Sequence, residues 1–286
     1  MMPRCPLFVI SKGRWESRLT SKALEQAGVP YRIVVEPQEH DQYAAVIDPK
    51  KILVTPFSNL GQGSIPVRNF VWQTAVEEGF ERSWVIDDNI DGFYRLHNNL
   101  KLRVETGSTF RAIEDWSDRY ENVGLSGPNY FMFASRKTKM PPLALNTRVY
   151  SCILVNHALD LGERWRGRYN EDTDLSLRVL KAGWCTALFN AFLILKQTTM
   201  TMKGGNTDEL YKGDGRRAMA DSLVEQHPDV TTVAWKWNRW QHQVDYTSFK
   251  RNKLVLKGGV IVPAGADNYG MELEVDEPVE VEDGGM

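Results

Sequence analysis

Trp84-Val85-Ile86-Asp87-Asp88-Asn89 decides how the rest of this chain is read. Ser83–Ile86 has the composition of a buried strand, and it stops abruptly at two adjacent carboxylates and an amide. In open α/β sheets the carboxyl ends of the strands are where ligands bind. Two carboxylates and an amide oxygen suit a hard cation, Mg²⁺ or Mn²⁺, bridging a diphosphate. Asp and Asn are also ordinary turn residues, so the stretch needs support from its surroundings.

Upstream, Leu7–Ile10 reads as strand, Glu16–Ala27 as helix, Tyr31–Val35 as strand, Gln42–Ile47 as helix and Ile52–Val54 as strand. Such alternation predicts βαβ units in a parallel sheet. Ser64 is an N-cap candidate ahead of Pro66; Phe70, Val71, Thr74 and Ala75 then recur at helical spacing until Gly79. Downstream, helices are expected at Thr109–Tyr120, Asp172–Ala182 and Asp214–Gln226, and strands at Tyr130–Phe133, Val149–Val155 and Thr186–Ile194. The fold class predicted is α/β: a Rossmann-like mixed sheet flanked by helices. Residues 1–257 form one domain, with a nucleotide-binding half to about 105 and an acceptor-binding, catalytic half after it. Residues 258–286 form a C-terminal extension.

Hydrophobic residues make up 42% and charged residues 25%, which excludes a wholly disordered or coiled-coil chain. Apolar runs such as Ala187–Leu195 fall well short of a bilayer span. Cys5, Cys152 and Cys185 lack metal-ligand spacing. A cytoplasmic protein without a membrane partner is expected. The net charge of −2 conceals an acidic tail with Glu272, Glu274, Asp276, Glu277, Glu280, Glu282 and Asp283. Without those seven, 35 bases face 30 acids, leaving a body of charge +5 that can approach a polyanion.

A second acidic cluster, Asn170-Glu171-Asp172-Thr173-Asp174, opens a predicted helix. Acids in a first turn favour the helix dipole, but capping needs only one. Three acids repel one another, which fits a site where one serves as a general base. Three polar strand exits could hold a nucleotide: Ser11-Lys12-Gly13-Arg14, Glu36-Pro37-Gln38 and Gly61-Gln62-Gly63-Ser64. Arg14 and Arg68 would lie near phosphate, and Glu36 or Gln38 near base or ribose. Neither GxGxxG nor GxxxxGK[ST] occurs, which weighs against a dinucleotide enzyme or a P-loop NTPase.

These features resemble nucleotide-sugar glycosyltransferases of the GT-A fold. More narrowly, Gly61–Phe70, Ile86–Ile90, Tyr169–Arg178 and Met202–Glu209 resemble the TET-associated glycosyltransferases, mainly phage-encoded enzymes found beside TET/JBP-type dioxygenases. The resemblance covers about residues 5–250. It implies transfer of a sugar from a UDP-sugar to a 5-hydroxymethylpyrimidine, foremost 5-hydroxymethylcytosine, in phage DNA, with Mn²⁺ or Mg²⁺ as cofactor. It implies metal ligation by Asp87, Asp88 and Asn89, where the Asn departs from the usual final Asp. His242 or His227 is the further ligand to weigh, His242 foremost. Ser11, Arg14, Glu36, Gln38, Ser64, Arg68, Asn69, Asp87 and Lys203 are placed at the nucleotide sugar. Asp172, with Glu171 second, is the general base of an inverting reaction.

Lys203-Gly204-Gly205 reads as a mobile lid or a surface turn. The run Trp235–His242 interleaves aromatics with cations, as in nucleic-acid surfaces, and with Lys250 and Arg251 makes Lys236 and Arg239 candidate DNA contacts. Read as a helix, it would put Trp237 and Trp240 on one face. The rivals to DNA glycosylation are a protein Ser/Thr or glycan transferase and a non-catalytic nucleic-acid-binding module.

Overall fold

The computed structural model describes residues 1–135, 140–197 and 215–262. Strands β1 (Leu7–Ile10), β2 (Arg32–Val35), β3 (Ile52–Val54) and β4 (Arg82–Asp87) alternate with helices α1 (Leu19–Gln26), α2 (His40–Ala44) and α3 (Ile65–Glu77). All four strands are parallel, in the order β3-β2-β1-β4. Alternate residues of β1 go to opposite faces: Leu7 and Val9 join a core with α1, α2 and the later helix Ser108–Ser117, whereas Phe8 and Ile10 join one with α3 and the helix Glu171–Lys181. That two-sided burial explains why these strands read as continuous apolar runs.

The sheet continues through β5 (Ile90–His97), β6 (Leu100–Val104), α4 (Ser108–Ser117), β7 (Val123–Tyr130), β8 (Leu143–Leu145), β9 (Cys152–Asn156), α5 (Glu171–Lys181) and β10 (Cys185–Lys196). Its order beyond β4 is β9-β7-β10-β5-β6, with β8 on β10. Strand β9 is antiparallel to β4 and β7, while β10 is parallel to β7. The carboxyl ends of β1, β2, β4, β7 and β10 and the amino end of β9 therefore share one edge. At Gly127 an added Cβ would lie 2.3 Å from the Cys152 carbonyl oxygen, so only glycine lets the start of β9 approach β7 so closely.

Helix α6 (Gly215–Gln226) and the hairpin of β11 (Thr231–Lys236) and β12 (Arg239–Val244) follow. Leu223 and Phe249 pack on Leu177 and Leu180 of α5, fixing this unit beside the sheet.

Several expectations need correcting. Tyr130 ends β7, and Phe131–Phe133 is a 3-10 turn rather than strand. The Val149–Val155 strand begins only at Cys152, because Ser151 adopts φ 63° and the Cys152 N–H bonds back to Tyr150 O. Trp235–Trp240 is a hairpin rather than a helix: Trp237 and Asn238 take φ 50° and 57°, as a two-residue turn with both centres left-handed requires. The acidic tail lies outside the described residues. Among the described residues no helix is long and apolar enough to cross a membrane.

Candidate active site

The common edge of the sheet opens into a cleft. Ser11, Arg14, Glu36, Ser64, Arg68, Asp87, Asp88, Asn89, Glu171 and Asp172 line it, so the two acidic clusters and all three strand exits converge. Tyr130, Ser151, Arg168 and Lys196, which sequence reasoning did not single out, also line it.

Arg68 is the electrostatic hub. Its guanidinium is 2% exposed, a burial tolerated only with partners. Nη2 lies 2.9 Å from Asp87 Oδ1 and 3.4 Å from Glu171 Oε1, and Nη1 lies 3.5 Å from Asp172 Oδ1. The cation also stacks over the Trp165 ring at 4.6 Å. Burial alone would weaken its charge, but Asp172, Asp87 and Glu171 outweigh that and fix it as a cation. Ser64 occupies the N-cap position without capping; its hydroxyl donates to Glu171 Oε1 at 2.9 Å and accepts from Arg68 Nε at 3.2 Å.

Lys196, at the end of β10, donates to Asp87 Oδ2 and to Ser151 Oγ, both at 2.7 Å. Burial opposes its charge, yet Asp87 beside it raises its pKa above the ordinary lysine value. Burial likewise opposes ionisation of Asp87, but Lys196 and Arg68 prevail and hold it at about 2. Asp172 is the reverse case. Burial comes first, and with Glu171 and Asp87 nearby it outweighs the pull of Arg68, pushing Asp172 up to about 6. Asp172 Oδ2 accepts the Ser151 N–H at 3.0 Å, while Oδ1 is buried without a hydrogen bond. A carboxyl raised in this way holds a proton more readily than an ordinary aspartate, the direction that suits a group able to accept one.

Asp88 points toward the β1 exit. It is paired with Arg14 and accepts from Ser11 Oγ at 2.7 Å; Ser11 in turn lies 2.5 Å from Tyr43 OH. Because Ser11 spends its proton on Asp88, Tyr43 donates to Ser11. Burial raises the Asp88 carboxyl despite Arg14.

A divalent cation fits this donor set poorly. Its oxygens are hard ligands of the right kind, and Asn89 Oδ1 is buried with no hydrogen-bond partner. Both Asp87 oxygens, however, already face protein cations, and both Asp88 oxygens are taken by Arg14 and Ser11. An ion within coordination distance of Asp87 Oδ2 would meet the Lys196 ammonium on the same atom. No group of three or more His, Cys, Asp or Glu suited to a metal occurs among the described residues.

Other expected residues lie elsewhere. Asp174 faces away from the cleft, bonded to Arg166, Arg178 and His227. His227 is thereby committed to Asp174 and, at 3.1 Å, to Lys181. His242 is not a cleft-lining residue; burial and then Arg148 push it down to about 4. Asn69 clasps the Trp165 backbone, donating to its carbonyl and accepting its N–H, both at 2.9 Å, which secures the loop ahead of α5. Gln38 is exposed and donates to Glu36. Lys203 lies outside the described residues. Lys236, Arg239, Lys250 and Arg251 are all exposed, and so are Trp235 and Trp237. Arg148 stacks over Tyr150 at 4.9 Å, and Tyr150 meets the cleft-lining Tyr130 at 4.2 Å, so Arg148 is linked to the cleft wall through two aromatic rings.

Among curated proteins none matches the chain. A solved nucleotide-diphospho-sugar transferase from Desulfovibrio desulfuricans G20 is similar at 12% identity and a TM-score of 0.40, covering 66% of this chain and 80% of that one. Residues 5–205 match the model of the TET-associated glycosyltransferases, a span holding every strand of the large sheet and both acidic clusters. A nucleotide-sugar glycosyltransferase is what such a cleft can serve, and the chain belongs to the TET-associated glycosyltransferase family.

Proposed function

We infer that the protein transfers a sugar, with inversion, from a UDP-sugar to the hydroxymethyl group of a 5-hydroxymethylpyrimidine, foremost 5-hydroxymethylcytosine, in phage DNA. The observation that carries this reading is a single cleft joining a polar strand-end bay to Asp172, a carboxylate pushed up to about 6. The bay suits a nucleotide: Glu36 stands at the β2 exit for ribose or base, and Arg14 stands at the β1 exit for phosphate.

Asp172 takes the proton of the acceptor hydroxyl as its oxygen attacks the anomeric carbon. The bond from that carbon to the β-phosphate oxygen breaks on the opposite face, its electron pair leaves with UDP, and the configuration inverts. Ser151 fixes the base through its N–H, and Arg68 offsets the charge of Asp172, Glu171 and Asp87 around it.

DNA as acceptor is favoured by the family's association with TET enzymes and by the exposed hairpin, where Trp235 and Trp237 flank Lys236. The test is incubation with a panel of UDP-sugars and hydroxymethylated DNA, followed by nucleoside mass spectrometry, with a Ser/Thr peptide in parallel. A glycosylated hydroxymethyl nucleoside is expected. Sugar on the peptide alone would move the acceptor to protein, and DNA binding without transfer under every condition would leave only a binding module.

A further inference from the structure

We propose that Lys196 supplies the positive charge that draws the diphosphate away from the sugar, the role that a divalent cation held by Asp87 would otherwise fill. This rests on the UDP-sugar reading above. It follows from the conflict between Asp87 as a metal ligand and the Nζ that already faces its Oδ2 at 2.7 Å. An ammonium has three donors. Two are spent on Asp87 Oδ2 and Ser151 Oγ at 2.7 Å, and the remaining contact, to Tyr130 OH at 3.4 Å, is near the limit of a hydrogen bond. That third donor, held only by the long bond to Tyr130 OH, is the one a phosphate oxygen in the cleft can take over from a side chain that lines it. Arg68 cannot replace it, because its guanidinium is enclosed by three carboxylates and the Trp165 ring.

The charges balance without a metal. As the bond from the anomeric carbon to the β-phosphate oxygen breaks, its electron pair stays on that oxygen and UDP gains one negative charge. The acceptor oxygen forms the new bond, and its proton passes to Asp172. A fixed ammonium aimed at the developing charge stabilises this step electrostatically and needs no reorganisation. Asp87 holds Lys196 in place, and Ser151 positions both Lys196 and Asp172.

The experiment is calorimetry of UDP on the full chain, in EDTA or in Mn²⁺, with wild type, Lys196→Met and Lys196→Arg. Thermal melts establish that each variant is folded. Expected are equal wild-type affinities in the two buffers, at least tenfold weaker UDP binding in Lys196→Met whether or not Mn²⁺ is present, and recovery of most of that loss in Lys196→Arg. Transfer by wild type should persist in EDTA, and kcat should fall roughly 10²–10³-fold in Lys196→Met. UDP binding that requires Mn²⁺, or undiminished binding by folded Lys196→Met, overturns the assignment to Lys196 and leaves the donor reading intact. No UDP binding in either buffer instead overturns the donor reading, and this inference with it.

Discussion

The Ser151 N–H donates to Asp172 Oδ2 at 3.0 Å while the same residue's hydroxyl accepts from Lys196 at 2.7 Å, and it does both from a backbone held at φ 63°. Such a conformation costs a non-glycine residue about 1–2 kcal/mol. Ser151→Gly and Ser151→Ala both delete the hydroxyl, but only glycine relaxes the backbone. Ser151→Gly should be the more stable of the two by about 1 kcal/mol, and both should lose turnover. Equal melting temperatures would show that no strain is stored there.

Asp172→Asn keeps the shape of the side chain but cannot take a proton. Transfer should fall roughly 10²–10⁴-fold with UDP affinity within a few-fold of wild type. In wild type, kcat/KM should rise with pH through about 6 and then level off, as Asp172 loses its proton. A profile flat from pH 5 to 8 would move the base elsewhere, with Glu171 the neighbour to test.

Asp172 and Asp87 should contribute to stability with opposite signs. Asp172 has a folded pKa above the ordinary 3.8, so the folded state binds more protons and its contribution falls as pH rises from about 4 to 6. Asp172→Asn should therefore gain in melting temperature relative to wild type across that window. Asp87 is held at about 2, so its stabilisation is present above about 4 and lost as pH falls toward 2. Asp87→Asn should be destabilised at pH 7, and the gap should close in acid; melts of both variants across pH 2–8 read the two signs directly.

Arg68→Met would leave Asp87, Glu171 and Asp172 crowded without their shared cation. Breaking a buried ion network from one side costs about 3–5 kcal/mol, so a large fall in denaturation midpoint is expected at pH 7. A loss below about 1 kcal/mol would show that water or Lys196 compensates.

Lys236→Glu/Arg239→Glu reverses two exposed charges beside the hairpin turn. DNA affinity should drop and its dependence on salt should flatten, since each lost phosphate contact releases about one fewer counterion. UDP affinity should not change. Undiminished DNA binding, measured by anisotropy across a salt series, would remove the hairpin from the acceptor surface.

The parallel half of the sheet was legible because β1, β2 and β4 are almost wholly buried apolar runs and α3 carries Pro66 in its first turn and Gly79 just past its end. Asp87 at a strand end and Asp172 in a helix's first turn were legible for the same reason, since local order fixes where each lies. The β5–β6 hairpin is signalled only by Asn98-Asn99, at φ 45° and 61°, a short turn pair between alternating residues. The Trp237-Asn238 turn is hard to read because a tryptophan rarely takes positive φ, and the β-branched run Thr231-Thr232-Val233 ahead of it is the better guide to the hairpin. Ser151, Lys196 and Tyr130 carry no motif. They meet only because β9 runs against β4 while β7 and β10 end on the same edge, a convergence that spacing along the chain does not reveal.

The pairing of Ile86 with Cys152 also sets an order of assembly on the ribosome. The strands β3-β2-β1-β4 emerge first, and β4 then waits with one hydrogen-bonding edge open while β5, β6, α4, β7 and β8 are synthesised. Arg14 and Arg68 are already present to meet Asp87 and Asp88, but Lys196 arrives only with the end of β10. A nascent chain arrested before Cys152 therefore presents a bare β4 edge, a template for pairing with another copy. Prematurely terminated products should aggregate through that edge, and competence to transfer sugar should appear only once β10 has been released from the exit tunnel.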